Sequence, residues 1–299
     1  MLTRLWKPWF VHRPVQIGQR LYASLVPPTS GYKPLRTSWG ATITADPTKT
    51  IGRNIVMTGL YDISVSEVLA RLITPGATVI DAGANIGYMT TLAAMAAGAG
   101  GKVLSFEPHP ELVKILRANV AAATLTGTSA KVEVYQSALG DEPGMGELAL
   151  PEGFDGNDGI ATMLSDVKSP VPKIRVRVQT LDEVLGEQSA EVLKLDVEGF
   201  EYHVLKGAEQ ALTSRRIRHV VFEEHDWKNS SVVRLLRETG YEVFSLGWTV
   251  KGLSLAPFNC VTGARPWESP SFVATIDPEN MLRQCASDGW RVLRKNLQH

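Results

Sequence analysis

The sequence predicts an α/β fold in which a mostly parallel sheet carries helices on both faces. Short apolar runs rich in β-branched residues alternate with helical periodicity from residue 58 onward, a pattern typical of βαβ units. Gly83 and Gly199 lie in loops that follow two of these runs, and Asp81, Glu107 and Asp196 stand where three of them end. Ligands of open α/β sheets gather at the carboxyl ends of the strands, so these residues mark a candidate site.

The composition is that of an ordinary globular protein. The chain has 299 residues, 44% hydrophobic and 21% charged, and its 31 basic and 31 acidic residues give a formal net charge of +0. This length suits one large domain with attachments, and the balanced charge disfavours a nucleic-acid partner. No apolar run reaches the roughly 18 residues of a membrane span, so we expect no transmembrane segment and a cytoplasmic location. Cys260 and Cys285 lack C-x-x-C spacing and are interpreted as incidental thiols.

Residues 1–57 are predicted to form a basic and aromatic N-terminal arm and cover, and residues 58–299 the main domain. No acidic residue precedes Asp46, whereas six lysines and arginines are interleaved with aromatic residues. Such an arm could make peripheral contact with an anionic membrane surface or cover the substrate. The alternative is an arm that packs on the domain and shows its basic residues to water. Residues 42–57 are expected to form a short antiparallel hairpin or an irregular cover, and residues 63–73 a helix.

The first candidate site follows a strand predicted over residues 78–81. Residues 83–87, GANIG, tolerate unusual backbone angles and precede a helix over residues 88–97. They lack the second glycine of the dinucleotide fingerprint, and Asp81 would repel a pyrophosphate. The loop therefore favours a cationic ligand over a nicotinamide dinucleotide, although Asp81 could instead cap the following helix.

Glu107 ends the second strand, predicted over residues 102–106, and Pro110 begins the next helix. Glu107 lies 26 positions after Asp81, close to the roughly 20-residue offset of an acid that binds a ribose diol. Charge-assisted hydrogen bonds to the two hydroxyls would each contribute about 1.5–3 kcal/mol. Gln136 and Ser137 follow the third strand, where an adenine edge would lie, although loop polarity alone explains them equally well.

Residues 141–173 interrupt the strand and helix pattern with Gly, Asp, Asn and Pro, and they are predicted to form a lid-like insertion. Residues 172–180 then alternate like an exposed strand.

The second candidate site follows a strand predicted over residues 192–195. Asp196, Glu198 and Glu201 lie within six residues and cannot all be buried without partners. The next strand, over residues 218–223, delivers Glu224 and His225 to the same edge of the sheet. We interpret this convergence as an active site.

Five motifs occur in the order in which one family carries them. They are VIDAGANIGY at residues 79–88, FEP at 106–108, TLD at 180–182, LKLDVEGFE at 193–201 and KGA at 206–208. Together they resemble the FkbM family of methyltransferases, over roughly residues 59–246. The resemblance implies the class I methyltransferase (Rossmann-like) fold, with a seven-stranded, mostly parallel sheet whose antiparallel last strand would lie at residues 271–276. It also implies S-adenosylmethionine as methyl donor and, usually, O-methylation of a hydroxyl on a sugar, glycolipid or secondary metabolite.

The resemblance extends to site residues. By position, Asp81, Gly83, Asn85, Gly87 and Glu107 would match the family's cofactor contacts, and the full predicted cofactor-binding set also includes Ala84, Pro108, Gln136, Ser137 and Asp196. The pair Gln136 and Ser137 departs from the family pattern, in which an acid or asparagine often follows the third strand. Asp196, Glu198 and Glu201 match the acidic motif on the substrate side.

His225 is the predicted base that removes the acceptor proton, because its ordinary pKa suits that task, and Asp196 is the alternative base or orients it. A rival mechanism has Asp196, Glu198 or Glu224, and His225 hold Mg²⁺ against a sugar diol.

Two other classes of protein are considered, a nicotinamide oxidoreductase and a catalytically silent carbohydrate-binding relative. The sequence does not identify the acceptor or the oligomeric state.

Overall fold

The computed structural model describes residues 7–125, 127–151, 161–163, 171–224, 229–258, 270–294 and 297. The helices are α1 Pro8–Val11, α2 Val15–Leu25, α3 Thr50–Thr58, α4 Ile63–Leu72, α5 Tyr88–Ala97, α6 Pro110–Thr124, α7 Leu181–Leu185, α8 Glu201–Lys206, α9 Glu209–Thr213, α10 Ser231–Glu238 and α11 Pro278–Cys285. The strands are β1 Lys33–Arg36, β2 Thr42–Ala45, β3 Thr78–Ala82, β4 Lys102–Phe106, β5 Lys131–Tyr135, β6 Ala138–Leu139, β7 Gly144–Ala149, β8 Lys173–Gln179, β9 Ala190–Leu195, β10 Ile217–Glu223, β11 Glu242–Trp248, β12 Leu253–Pro257 and β13 Ser271–Thr275.

The main sheet has the strand order β12-β11-β13-β10-β9-β3-β4-β5. Strands β5, β4, β3, β9 and β10 run parallel, and β13 is antiparallel to both β10 and β11. These strands and β11 give the seven-stranded class I methyltransferase fold that the sequence predicts. The eighth strand, β12, pairs antiparallel with β11 at the edge of the sheet.

Alternate side chains of the central strands enter two hydrophobic cores on opposite faces of the sheet. Val79 and Val103 belong to the core that includes residues of α4 and α5, whereas Ile80 and Leu104 belong to the core that includes residues of α8 and α10. Strands buried on both faces lack a polar side, which explains the continuous apolar runs in the sequence.

The N-terminal region contains a hairpin and a helix. Strands β1 and β2 pair antiparallel, but α3 occupies most of the remainder of residues 42–57. Gly52 permits this helix to pack closely, because a Cβ there would lie 2.1 Å from the carbonyl oxygen of Asp46. Ile43 and Ile55 are buried in the same core as α4 and α5, so this region is continuous with the main fold.

Part of the predicted insertion is regular. Strand β7 pairs antiparallel with β8, and β6 pairs parallel with β8, which gives a small three-stranded sheet. Of the predicted lid, residues 152–160 and 164–170 lie outside the described residues.

Candidate active site

The loop after β3 is shaped by close backbone packing. Gly83 has φ +75°, and a Cβ there would lie 1.8 Å from the carbonyl oxygen of Asp196. Any larger residue would push apart the ends of β3 and β9. Asn85 is also left-handed, at φ 50°, and its side-chain oxygen accepts from the amide of Ile86 at 2.7 Å. Asparagine tolerates this conformation because its short side chain bonds to local backbone.

Glu107 holds the same loop from the end of β4. Its carboxylate oxygens accept hydrogen bonds from the backbone amides of Asn85 and His109, each at 2.8 Å. Burial raises the pKa of Glu107 to about 7, although these hydrogen bonds oppose the rise. A carboxylate offers about four acceptor positions, so the two amides leave capacity for further donors.

Lys194 joins the two candidate sites and was not singled out by the sequence analysis. Its ammonium donates to the carbonyl oxygen of Gly83 at 2.9 Å and lies 3.3 Å from a carboxylate oxygen of Asp81 and 3.4 Å from one of Asp196. Burial lowers the pKa of Lys194, but the two carboxylates outweigh that effect and raise it overall. The signal for this residue is a lysine within the otherwise apolar run of residues 192–195.

Asp81 lies beneath the loop. It is only 1% exposed and accepts a hydrogen bond from the hydroxyl of Thr90 at 2.6 Å. Its other oxygen accepts no hydrogen bond from the described residues and faces Lys194. Asp81 therefore acts on the loop through Lys194 and Thr90, and its side chain does not cap α5.

Glu201 and Glu198, two acids of the motif after β9, have different surroundings. Glu201 is 7% exposed, and one of its oxygens accepts from the amides of Val197 and Gly199, so it stabilises the turn before α8. Glu198 sits in that turn at φ 53°. Burial and the neighbouring charges of Asp196 and Glu201 raise the pKa of Glu198 to about 7.

Two adjoining cavities lie at the carboxyl ends of the strands. The larger has about 1020 Å³ of empty space, part of it open to solvent. Its lining includes eight predicted site residues, namely Gly83, Ala84, Asn85, Glu107, Pro108, Ser137, Asp196 and Glu198. The smaller has about 260 Å³ of empty space, part of it also open to solvent; it is lined by Asp62 and Glu223 and shares Tyr61, Met89, Lys194 and Asp196 with the larger. We call them the large cavity and the acidic cavity.

Other predicted residues lie elsewhere. Gly87 begins α5 and packs against Leu116 of α6. Gln136 is exposed and does not line the large cavity, whereas Ser137 is buried and donates to the side chain of Gln179 at 2.9 Å. Glu224 accepts a hydrogen bond from Ser230.

The predicted base His225 lies outside the described residues, so its role stays a prediction. Glu223 ends the strand predicted over residues 218–223, but no sequence pattern marks it as a site residue. No pattern marks Tyr61 either, because that residue precedes the first strand of the main sheet. Burial and the charges of Asp196 and Asp62 raise the pKa of Glu223. No group of three or more His, Cys, Asp and Glu side chains that could hold a metal ion occurs within the described part of the chain.

The large cavity fits an adenosine-containing cofactor with a cationic group. Phe106, Pro108 and Leu139 offer apolar surface for an aromatic ring next to the carboxylate of Glu107, which can accept from ribose hydroxyls. Asp196 and Glu198 line the same cavity and supply negative charge for a cation. The fold and this cavity define the class of protein, an enzyme of the class I methyltransferase fold.

Comparisons with known proteins place the chain within this class. The family described as the methyltransferase FkbM domain matches residues 81–243. The 31-O-demethyl-FK506 methyltransferase FkbM of Streptomyces tacrolimicus is 33% identical over 200 residues, covering 56% of this chain and 74% of that protein. The chain belongs to the FkbM methyltransferase family and is an S-adenosylmethionine-dependent methyltransferase.

Two further likenesses were found. The tRNA (adenine(57)-N(1)/adenine(58)-N(1))-methyltransferase TrmI of Methanocaldococcus jannaschii is 24% identical over 235 residues, covering 76% of this chain and 75% of that protein. A solved FkbM methyltransferase of Methylobacillus flagellatus aligns with a TM-score of 0.40 and 14% identity over 74% of this chain, and the alignment spans about half (52%) of that protein. The expected absence of a nucleic-acid partner stays a prediction. None of the helices within the described ranges has the length and apolar character needed to cross a membrane.

Proposed function

We propose that this methyltransferase transfers a methyl group to a hydroxyl oxygen of a small-molecule or carbohydrate acceptor. The acidic cavity carries this proposal, because it brings Asp62, Asp196 and Glu223 together beside the large cavity. A hydroxyl must lose its proton as it is methylated, and a positioned base contributes roughly 10²–10⁴-fold to the rate. Carboxylates also accept hydrogen bonds from the other hydroxyls of a polyol. The name of the Streptomyces relative, which specifies an O-demethylated compound, supports the same acceptor chemistry.

S-adenosylmethionine supplies a methyl group that its sulfonium already activates. The contribution of this chain is to bind, orient and deprotonate. Glu107 would accept bonds from the ribose hydroxyls, and Asp196 and Glu198 would face the cationic part of the cofactor. Holding the acceptor oxygen in a reactive orientation can supply up to about 7–11 kcal/mol of the barrier reduction.

Glu198 and Glu223 are the proposed bases among the described residues. A base works best when its pKa lies near the working pH, and burial raises the pKa of both carboxyls toward or above neutrality. Asp196 lies 3.4 Å from the Lys194 ammonium, and this ion pair suits it to positioning. The role of His225 as base and the binding of Mg²⁺ against a diol stay predictions.

Binding of S-adenosylhomocysteine measured by calorimetry tests the cofactor site. Glu107→Ala is expected to weaken binding tenfold or more, since it removes the ribose acceptor and the support of the Asn85 amide. Glu111→Ala is the matched control, because Glu111 is an exposed acid four residues later whose partner is Lys114. Equal affinity of Glu107→Ala and wild type would contradict the assigned ribose contact.

The acceptor class is tested by transfer from methyl-labelled S-adenosylmethionine to pooled sugars, polyols, hydroxylated metabolites, amines and carboxylic acids. Base-stable ether products are expected. Transfer to amines or carboxylates alone would contradict the hydroxyl proposal while leaving the methyltransferase assignment intact.

Glu223→Gln is expected to reduce turnover at least a hundredfold at saturating cofactor, with unchanged affinity for S-adenosylhomocysteine.

A further inference from the structure

Helix α2 packs on the protein with the polar side chain of Gln16 inward. Gln16, 3% exposed, and Arg13, just before the helix, both approach Gly59: a Cβ there would lie 3.1 Å from a side-chain nitrogen of each. The Nη1 atom of Arg13 and the Oε1 atom of Gln16 are buried, and neither has a hydrogen-bond partner among the described residues. Burial also lowers the pKa of Arg13. Soluble proteins ordinarily turn the apolar face of a surface helix inward.

The outward face of α2 and its flanks is apolar. Its exposed side chains are Val11 at 44%, Val15 at 61%, Leu21 at 61%, Tyr22 at 67%, Leu25 at 81% and Val26 at 51%. At 100° per residue the four that lie within α2, Val15, Leu21, Tyr22 and Leu25, fall within one continuous sector of the helix. Single exposed apolar residues are ordinary, but four on one helix face, flanked by Val11 and Val26, form a patch of the kind that marks a binding surface. We call it the α2 face.

The charge around the α2 face is one-sided. Residues 1–61 contain eight of the 31 lysines and arginines but only one of the 31 acidic residues, Asp46. The Asp46 carboxylate is 4% exposed and accepts hydrogen bonds from Gly31, Ser30 and Thr48, which together hold its pKa well below the usual range. The solvent-facing charge of this region is therefore positive, whereas the rest of the chain is net negative. A partner that is apolar within and anionic at its surface complements both features.

We propose that the α2 face docks this methyltransferase on anionic lipid bilayers. Val15, Tyr22 and Leu25 would enter the boundary between headgroups and acyl chains, and the basic residues of the region would lie near the anionic headgroups. The docked helix is close to the active site. It packs on α3, whose first residues, Thr50 and Ile51, line the large cavity.

Cosedimentation of the full chain with vesicles tests this assignment. Wild type is expected to bind vesicles of phosphatidylcholine and phosphatidylglycerol, mixed at about 2:1, and to bind pure phosphatidylcholine about tenfold more weakly. Raising the salt from about 0.1 M to 0.5 M should release much of the bound protein, since screening shortens the range of the headgroup charge. Failure of wild type to bind the anionic vesicles would overturn the proposal.

The double variant Tyr22→Ser with Leu25→Ser is expected to weaken vesicle binding about tenfold. Leu125→Ser with Met145→Ser is the matched control, because these side chains are 84% and 59% exposed outside the α2 face. Equal losses in both double variants would contradict the proposal. Binding of S-adenosylhomocysteine should be the same in wild type and both variants, which shows that each is folded. A wild-type dimer in light scattering that only the α2-face variant converts to a monomer would assign the face to self-association instead.

Discussion

Lys194 connects carboxylates that lie 115 positions apart in the sequence. Asp81 and its loop come from β3, and Asp196 comes from the neighbouring β9, so only the folded sheet brings them to one ammonium. Two buried or half-buried acids without this cation would repel each other. The lysine therefore allows the FkbM-type acidic motif after β9 to lie next to the glycine loop after β3.

Replacing Lys194 by Met should destabilise the protein and weaken cofactor binding. Removing one partner of a buried ion pair costs about 3–5 kcal/mol, because the remaining charge stays buried and uncompensated. We expect a fall of that size in the free energy of unfolding, measured in urea, together with tenfold weaker S-adenosylhomocysteine binding. Adding Asp81→Asn to Lys194→Met should restore part of the stability. Lys131→Met, at a 76% exposed side chain, is the control, and equal effects of the two lysine variants would contradict this role.

Glu107 should make cofactor affinity depend on pH. The carboxylate form accepts from ribose hydroxyls and the protonated form accepts less well, and burial raises the pKa of Glu107 to about 7. Affinity for S-adenosylhomocysteine is therefore expected to be full above pH 7 and to weaken as the pH falls through 7 toward 5. Glu107→Gln should bind more weakly and lose this dependence. A wild-type profile that is flat between pH 5 and 8 would argue against the contact.

Local pattern identifies some site residues and not others. Gly83, Asn85 and Glu107 follow strands in a short, recognisable order, and each lines the large cavity. Gln136 occupies a similar sequence position but is exposed, because the chain turns after β5 so that Ser137 is the buried residue. Glu201 differs again, because its side chain accepts hydrogen bonds from backbone amides of its own turn.

At the scale of elements, α4 is joined to the C-terminal region by a buried ion pair. Glu67 and Arg71 lie one turn apart with side chains 0% and 1% exposed, and their atoms Oε1 and Nε are 2.6 Å apart. Arg71 also donates to backbone oxygens of Ser287 and Gly289, and Glu67 accepts from the amide of Val292. These bonds satisfy backbone groups of residues 287–292, which follow the end of α11 at Cys285.

Arg71→Met should lower the free energy of unfolding by about 3–5 kcal/mol, because it leaves Glu67 charged and buried and several carbonyls without donors. Lys114→Met provides the comparison, since the Lys114–Glu111 pair is 70% and 66% exposed and such pairs contribute about 0–1 kcal/mol. Urea denaturation of both variants measures the difference. A loss below about 1 kcal/mol for Arg71→Met would show that water replaces the pair at little cost.

At the scale of the whole molecule, the sequence predicts the fold better than the site. The parallel strands are buried on both faces, so their apolar runs are unambiguous, and the ordered motifs place them in one family. The helix α3 was missed because a short segment with β-branched residues is compatible with both a helix and a strand. The acidic cavity depends on Tyr61, Asp62 and Glu223 meeting in space, and no spacing in the sequence predicts that meeting.

The position of β13 has a consequence for synthesis on the ribosome. This strand, at residues 271–275, lies between β10 and β11, both of which are translated earlier. Until it emerges, β10 presents an open edge with unpaired backbone groups, and such edges invite pairing with other chains. The nascent chain is therefore expected to be most prone to aggregation before β13 emerges. Pulse-labelling that detects aggregated nascent chains before residue 275 emerges, and fewer afterwards, would register this interval.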